Sequence, residues 1–495
     1  MRRIALIALM SIGAVGLWSL IRSASACGDL KWLLPEFAKN AVSGDPKVSE
    51  PAIRFLRQQG PAGLQALLTA NAETIKKHTE QQSRLSSFAP PKQTADSDDL
   101  AWQRLRTALD EVSGQRDCHA SRLFWYTDFD QAKAAAKREG KPILSLRLLG
   151  KLTDEYSCAN SRFFRTTLYS NAEISKALGE RFILHWKSVR PVPKVTIDFG
   201  DGRKLERTLT GNSIHYVLDS DGRVIDALPG LYGPKAFIRE LDRAEETAKE
   251  AARKTDGERE TYLADYHRQR AAAIQTAWQQ DLNTLGIAAS AAGPEMTIAA
   301  AELPAYVATA AQPQPAKAVA VANLKRPPSA IAAGALAVGK GFAELPIIRK
   351  AALASDEALT KATTDDVWNR IAQLHSTDAQ LDPASVALIR NQHPTAAAAA
   401  VRAISKMAVE DPLVKIVRNF QGAISLDTVR NEYTFHRQIH GWLAAEPAPA
   451  IDALNERVYA QLFLTPSSDP WLGLMPADTY TALEDNGVKH AASGE

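Results

Sequence analysis

The chain has 495 residues, with 59 lysines and arginines against 56 aspartates and glutamates and a formal net charge of +3. That length exceeds what one ordinary core serves, so two or three domains are expected. No dense basic cluster interleaved with aromatics occurs, and nothing in the charge balance favours nucleic acid as a partner.

The chain opens with "MRRIALIALMSIGAVGLWSLIRSASACGDL": two arginines, an apolar run from Ile4 to Ile21, and Ala24-Ser25-Ala26 before Cys27. This reads as a signal peptide over residues 1–26, cleaved before Cys27, and it predicts a periplasmic or secreted protein. Arg2, Arg3 and Arg22 lie in that segment with no acid, so the rest of the chain is close to neutral. Two alternatives stay open. The apolar run is long enough to be retained as an anchor, and Cys27 after small residues is compatible with an acylated lipoprotein cysteine. A membrane is a partner only in those two cases.

Residues 27–120 read as a helical region. "DPKVSEPAIRFLRQQGPAGLQALLTANA", from Asp45 to Ala72, gives two helices broken at Gly60-Pro61, a hairpin resembling a single HEAT-type unit. "SSFAPPKQTADSDD", residues 86–99, reads as a loop or linker.

Residues 121–247 carry a mixed pattern. "DFDQAKAAAKREGKP" has helical spacing and closes at Gly140; "ILSLRLLG" reads as a buried strand. After Cys158, "NAEISKALGE" predicts a helix and "RFILHWKSV" a strand. "VTIDFGDGRKLERTLT" and "IHYVLDSDGRVIDAL" predict two β-hairpins, the second turning at Ser220-Asp221-Gly222, and Pro234 opens a further helix.

The run "FWYTDFDQAKAAAKREGKPILSL", then Cys158, then "YSNAEISKALGERFILHWKSV", resembles the thioredoxin-like superfamily, especially its secreted members. The resemblance covers residues 123–247, about a quarter of the chain. With the helical patterns on either side, it implies an α+β multidomain protein: a thioredoxin-like α/β domain flanked by an N-terminal helical segment and a C-terminal all-helical domain. It also implies that Cys158 stands at the family's nucleophilic cysteine and Ser161 at its resolving one, an incomplete Cys-x-x-Ser motif. "GNSIHYVLD" resembles the start of the strand that follows the family's cis-proline, with Ser213 in the proline's place and Asn212 before it, which makes these two the candidate binding residues.

A cysteine at a helix N-terminus feels the positive end of the helix dipole and unpaired N–H groups, which stabilise a thiolate. In a dithiol site the second cysteine releases a mixed disulfide, whereas Ser161 leaves that step to an outside thiol. The candidate catalytic pair is therefore Cys158 and Ser161, with Asn160, Ser161 and Ser213 as neutral neighbours. Three features oppose activity. The loop before Cys158 is longer than in the family, with Lys151, Asp154 and Glu155 inserted, and two acids near a thiol disfavour its thiolate. Leu146 stands where redox-active relatives keep a buried aspartate. A cis bond before a non-proline residue costs about 3–4 kcal/mol, so the loop at Ser213 is expected to be differently shaped.

Three cysteines in an exported chain leave one over if a single disulfide forms. Cys27 and Cys118 flank the helical N-terminal region and are the expected pair; if Cys27 is lipidated, Cys118 and Cys158 are the only pair possible.

Beyond this region "ETYLADYHRQRAAAIQTAWQQDLNTL" predicts a long exposed connector helix, within residues 248–287. Residues 288–345 read as an Ala/Pro-rich linker. Residues 346–495 regain helical pattern with Asp and Thr caps and read as an all-helical domain, with Trp471, Leu472 and Leu474 docking its proline-rich tail.

His436 and His440 share a helical face, with Glu432 one turn earlier, a spacing that suits a metal. Yet Leu426, Val429, Tyr433, His436, His440 and Leu443 form one stripe, which predicts a helix interface with ordinary hydrogen bonds. No metal is expected on these grounds, His436 and His440 being weak candidates, and no His-Glu-x-x-His or Gly-rich phosphate loop occurs.

Two functions follow. The first is an exported, non-catalytic binding or structural module of the cell envelope, with exported or envelope proteins as partners. The alternative is a monothiol exchange protein acting through Cys158. Neither calls for a bound cofactor.

Overall fold

The computed structural model describes residues 30–84, 97–208, 211–287, 357–392 and 412–469. The expected signal segment with Cys27, the Ala/Pro-rich linker, the alanine-rich stretch 394–410 and the tail with Trp471 lie outside them. No helix among the described residues is long and apolar enough to cross a membrane. The chain divides into two compact units, one ending at Ser113 and one running from Gly114 onward.

The first unit is helical: α1 (Leu34–Asn40), α2 (Pro46–Gln58), α3 (Pro61–Ala70), α4 (Ala72–Arg84) and α5 (Ser97–Ser113). The expected hairpin is α2 and α3. Asp45 caps α2 by accepting from the Lys47 N–H at 2.9 Å. Gly60 turns the chain with φ of 65°, and Gly63 brings α3 so close to α2 that a Cβ there would overlap the Leu56 backbone. Phe37 and Phe55 stack at 4.0 Å, and Leu56, Leu67 and Leu105 are fully buried. Helix α5 begins at Ser97, inside the stretch expected as linker, and reaches Ser113.

In the second unit, a short helix α6 (Cys118–Ser121) precedes α7 (Phe129–Glu139), which Asp128 caps and Gly140 ends in the left-handed conformation. Strand β1 (Ile143–Leu149) is buried at every position, as its apolar run predicts. Then come α8 (Ala159–Phe163), a π-helical turn over Phe164–Leu168, α9 (Ala172–Arg181) and β2 (Ile183–Arg190). The hairpin β3 (Lys194–Asp198) and β4 (Lys204–Thr208) stands apart from the main sheet. The second hairpin, β5 (Ser213–Leu218) and β6 (Val224–Pro229), turns where Asp219 accepts from the Asp221 and Arg223 N–H groups and Gly222 takes φ of 90°.

The four-stranded sheet has the order β2-β1-β5-β6. β1 and β2 are parallel, Ile143 opposite Ile183; β5 runs antiparallel to β1, Leu146 opposite His215; β6 pairs with β5, Val217 opposite Asp226. A bridge from Tyr126 to His185 adds one more rung outside β2. The protein is therefore a mixed α/β multidomain chain.

Helix α10 (Pro234–Ala252) returns across the sheet, and α11 (Asp256–Thr284) follows behind a Thr255/Glu258 capping box. The remaining helices are α12 (Glu357–Ala362), α13 (Asp365–Leu374), α14 (Pro383–Gln392), α15 (Pro412–Arg430), a π-helical turn over Asn431–His436, α16 (Arg437–Ala445) and α17 (Ile451–Gln461).

Two expectations change. The sheet and the C-terminal helices, expected as separate domains, share one core: Ile424, Phe435, Ile439, Leu443, Leu454 and Tyr459 cluster with the strands. The C-terminal helices alone leave an apolar face, and the sheet offers the matching one. Helix α11 is not an exposed connector. Leu263, His267, Ile274, Trp278 and Leu282 lie on one buried face, and the Trp278 ring stacks on Tyr433 at 5.9 Å.

Candidate functional site

The structure brings Cys158, Ser161, Asn212 and Ser213 together. Cys158 is the N-cap of α8, and its N–H donates to the Leu149 carbonyl at 3.1 Å, so the loop from Gly150 closes back on the end of β1. Its Sγ lies 2.8 Å from Ser213 Oγ at the start of β5 and 3.5 Å from Ser161 Oγ. The Ser161 hydroxyl faces Ser157 Oγ at 2.7 Å and the Cys158 carbonyl at 2.8 Å. With its proton directed to either, Ser161 Oγ is free to accept the thiol hydrogen while Ser213 donates to sulfur.

The inserted acids do not line the thiol. Asp154 and Glu155 are exposed, and Glu155 pairs with Arg116 at 3.3 Å. No cis peptide bond occurs among the described residues. Leu146 is wholly buried, and its neighbour Arg147 reaches Asp452 on α17 at 3.2 Å.

Helix α17 and the segment after it cover this end of the sheet. The Tyr459 hydroxyl donates to the Asn212 carbonyl at 3.1 Å, and Asn212 Nδ2 donates to Thr465 Oγ1 at 3.2 Å. Tyr216 donates to Asn455 Oδ1 at 3.3 Å, and the Arg190 guanidinium binds the Thr465, Pro466 and Asp469 carbonyls. Cys158 has no exposed surface, nor has Tyr459.

Of the two cysteines expected to pair, Cys27 lies outside the described residues; Cys118 is buried at the start of α6. Cys158 is a free thiol, so the alternative Cys118–Cys158 bridge is absent.

His436 and His440 sit at a helix interface, as their stripe predicts, but in a richer setting. His436 Nδ1 bonds Glu432 Oε2 at 2.7 Å, and its Nε2 faces Asp226 Oδ1 on β6 at 3.3 Å. His440 Nδ1 meets His267 Nδ1 of α11 at 2.8 Å, while its Nε2 stands 3.8 Å from Asp226 Oδ1. Tyr266 donates to Asp226 Oδ2 at 2.7 Å. Asp226, His267, His436 and His440 are all buried.

Burial alone would lower the His436 imidazole; the Glu432 charge and the hydrogen bonds to Asp226 and Glu432 overcome it and push the group up to about 10. Burial opposes ionisation of Asp226, but the charge and hydrogen bond of the His436 imidazolium hold its carboxyl well below the usual range. Burial drives His440 well below its ordinary value. Beyond Glu432 lies a cavity of about 170 Å³, bordered by Tyr232, Glu240, Arg243, Arg270 and His375. There Arg270 bridges Glu240 at 3.0 Å and Glu432 at 3.3 Å.

Asp226, His267 and Tyr266 escaped the sequence reading. Asp226 left one signal: a lone acid inside the apolar run of "VIDAL", where a strand position buried on both faces has no reason to carry a charge.

Comparison of the chain with protein-family models, with curated proteins and with solved structures returned no match.

Proposed function

We propose that the chain is an exported, non-catalytic binding or structural module of the cell envelope, built on a degenerate thioredoxin-like sheet. Support for that fold comes from the strand order β2-β1-β5-β6, the helix opening at Cys158 after β1, and α10 following the β5–β6 hairpin. The observation that carries the non-catalytic reading is the complete burial of Cys158 under the α17 segment. A nucleophilic thiol has to reach a partner's disulfide. Here hydroxyls satisfy the sulfur, and the chain's own Asn212–Thr465 contact occupies the loop beside it. Export rests on the N-terminal segment, and the proposed partners are other exported or envelope proteins.

Alkylation of the folded protein at neutral pH is the test. Cys158 reacts far more slowly than in denaturant, and Cys158→Ser leaves partner binding intact. Rapid alkylation, mixed disulfides with exported proteins, or disulfide reductase activity in Ser161→Cys would overturn the reading in favour of the monothiol alternative.

A further inference from the structure

The Asp226 cluster contains more ligand atoms than its hydrogen bonds use. His440 Nε2 is buried and has no hydrogen-bond partner among the described residues. At 3.8 Å, Asp226 Oδ1 is beyond hydrogen-bond reach. Its other nitrogen is engaged by His267, so the ring is held with Nε2 directed at Asp226 and nothing to bind. A dry, unpartnered imidazole nitrogen is costly to bury.

Protonation of His436 explains part of the cluster. An imidazolium between Glu432 and Asp226 satisfies both its own nitrogens, but the Asp226 contact of 3.3 Å is longer than the about 2.7–2.9 Å of a charge-assisted bond. It leaves His440 Nε2 unexplained.

We infer that Asp226 Oδ1, His436 Nε2 and His440 Nε2 form a binding site for a divalent first-row transition-metal ion. Asp226, His436 and His440 each offer a ligand atom within 4.8 Å of the others, and Asp226 Oδ1 itself stands 3.3 Å from His436 Nε2 and 3.8 Å from His440 Nε2. Ligands held about 2.0–2.2 Å from one ion stand roughly 3–3.5 Å apart, so modest closure completes the site. Two imidazoles and one carboxylate select ions of the zinc or iron(II) class, whereas calcium and magnesium prefer all-oxygen sets.

The outer layer is already in place. Glu432 holds His436 Nδ1, His267 holds His440 Nδ1, and Tyr266 holds Asp226 Oδ2. A histidine whose Nδ1–H donates to such a partner can present its Nε2 lone pair outward, the tautomer a metal requires, with His436 giving up its Nε2 proton as the ion binds. The site joins β6, the π-helical turn and α16, with α11 behind, so an ion there pins the edge strand to the helices that cover it.

The test uses the untagged full chain, stripped with chelator and titrated with Co²⁺ and then Zn²⁺. One Co²⁺ per chain is expected, with visible d–d absorption that Zn²⁺ displaces and a melting temperature that rises with free metal. His440→Gln and Asp226→Asn abolish this uptake, Glu432→Gln weakens it about 10- to 100-fold, and His375→Gln leaves it unchanged. Absence of stoichiometric uptake by the folded wild type overturns the inference, as does uptake that persists in folded His440→Gln. Should both ligand variants fail to fold, ¹⁵N signals of the wild-type imidazoles decide: Zn²⁺ binding that leaves His436 and His440 unshifted overturns the site.

Discussion

The Tyr459 hydroxyl on α17 donates to the backbone carbonyl of Asn212, 3.1 Å away and 247 positions earlier in the chain. That bond fastens the C-terminal helix over the residue preceding Ser213, whose hydroxyl lies 2.8 Å from the Cys158 sulfur. Access to the thiol is thereby linked to the docking of α17.

Loosening that contact is predicted to expose Cys158. Tyr459→Phe removes one buried hydrogen bond, about 0.5–1.5 kcal/mol, and leaves the ring packing intact. If the thiol reacts through local opening, the alkylation rate in folded protein rises about 2- to 10-fold. The check is alkylation followed by mass spectrometry, with global stability measured in parallel. An unchanged rate means that α17 does not gate the thiol.

Helix α11 is predicted to be part of the core. Trp278 is wholly buried, donates Nε1–H to Thr363 Oγ1 at 3.1 Å, and packs against Trp368 at 5.3 Å. Trp278→Ala should cost about 3–5 kcal/mol in chemical denaturation. An exposed connector would lose under about 0.5 kcal/mol.

These residues also mark where the sequence stops being legible. β1 and the Ser220-Asp221-Gly222 hairpin were readable because the apolar run and the turn chemistry are local. The buried face of α11 was not. Leu263, His267, Ile274 and Trp278 alternate with arginines and glutamines, and a stripe containing a histidine reads as polar until its partner is known. The candidate site divides in the same way. Cys158 and Ser161 are three residues apart and open a helix, whereas Asp226 and His436 are separated by 210 positions and meet only once the C-terminal helices cover β6.

Gly63→Ala should destabilise the N-terminal helical unit. Position 63 is buried, and a methyl group there meets the Leu56 carbonyl and Cα, backbone atoms that cannot swing aside. Overpacking of this kind costs about 1–3 kcal/mol. Hydrogen exchange resolved by segment is the measurement. Protection should fall in α2 and α3; unchanged protection in both would contradict the close approach.

Acid should weaken the second unit through two buried histidines in the sheet. His215 on β5 bonds the Tyr169 hydroxyl at 2.7 Å, and burial pushes it down to about 3. His185 on β2 bonds Ser145 Oγ at 2.8 Å; burial, then the charges of Arg147 and Lys187, also lower it to about 3. Both folded values lie below the ordinary value of 6.5, so between about 6.5 and about 3 the unfolded chain binds protons that the folded chain refuses. Stability therefore rises with pH through that window and is lost on acidification, at a limiting slope of about 1.4 kcal/mol per pH unit for each histidine. Denaturant titrations from pH 7 to 4 should show this slope. His215→Gln, which keeps a hydrogen-bonding side chain beside Tyr169 without a titrating ring, should lower it by up to about 1.4 kcal/mol per pH unit, the rest coming from His185 and from His267 and His440, which burial also lowers. A slope unchanged by both His215→Gln and His185→Gln would assign the acid sensitivity to other groups.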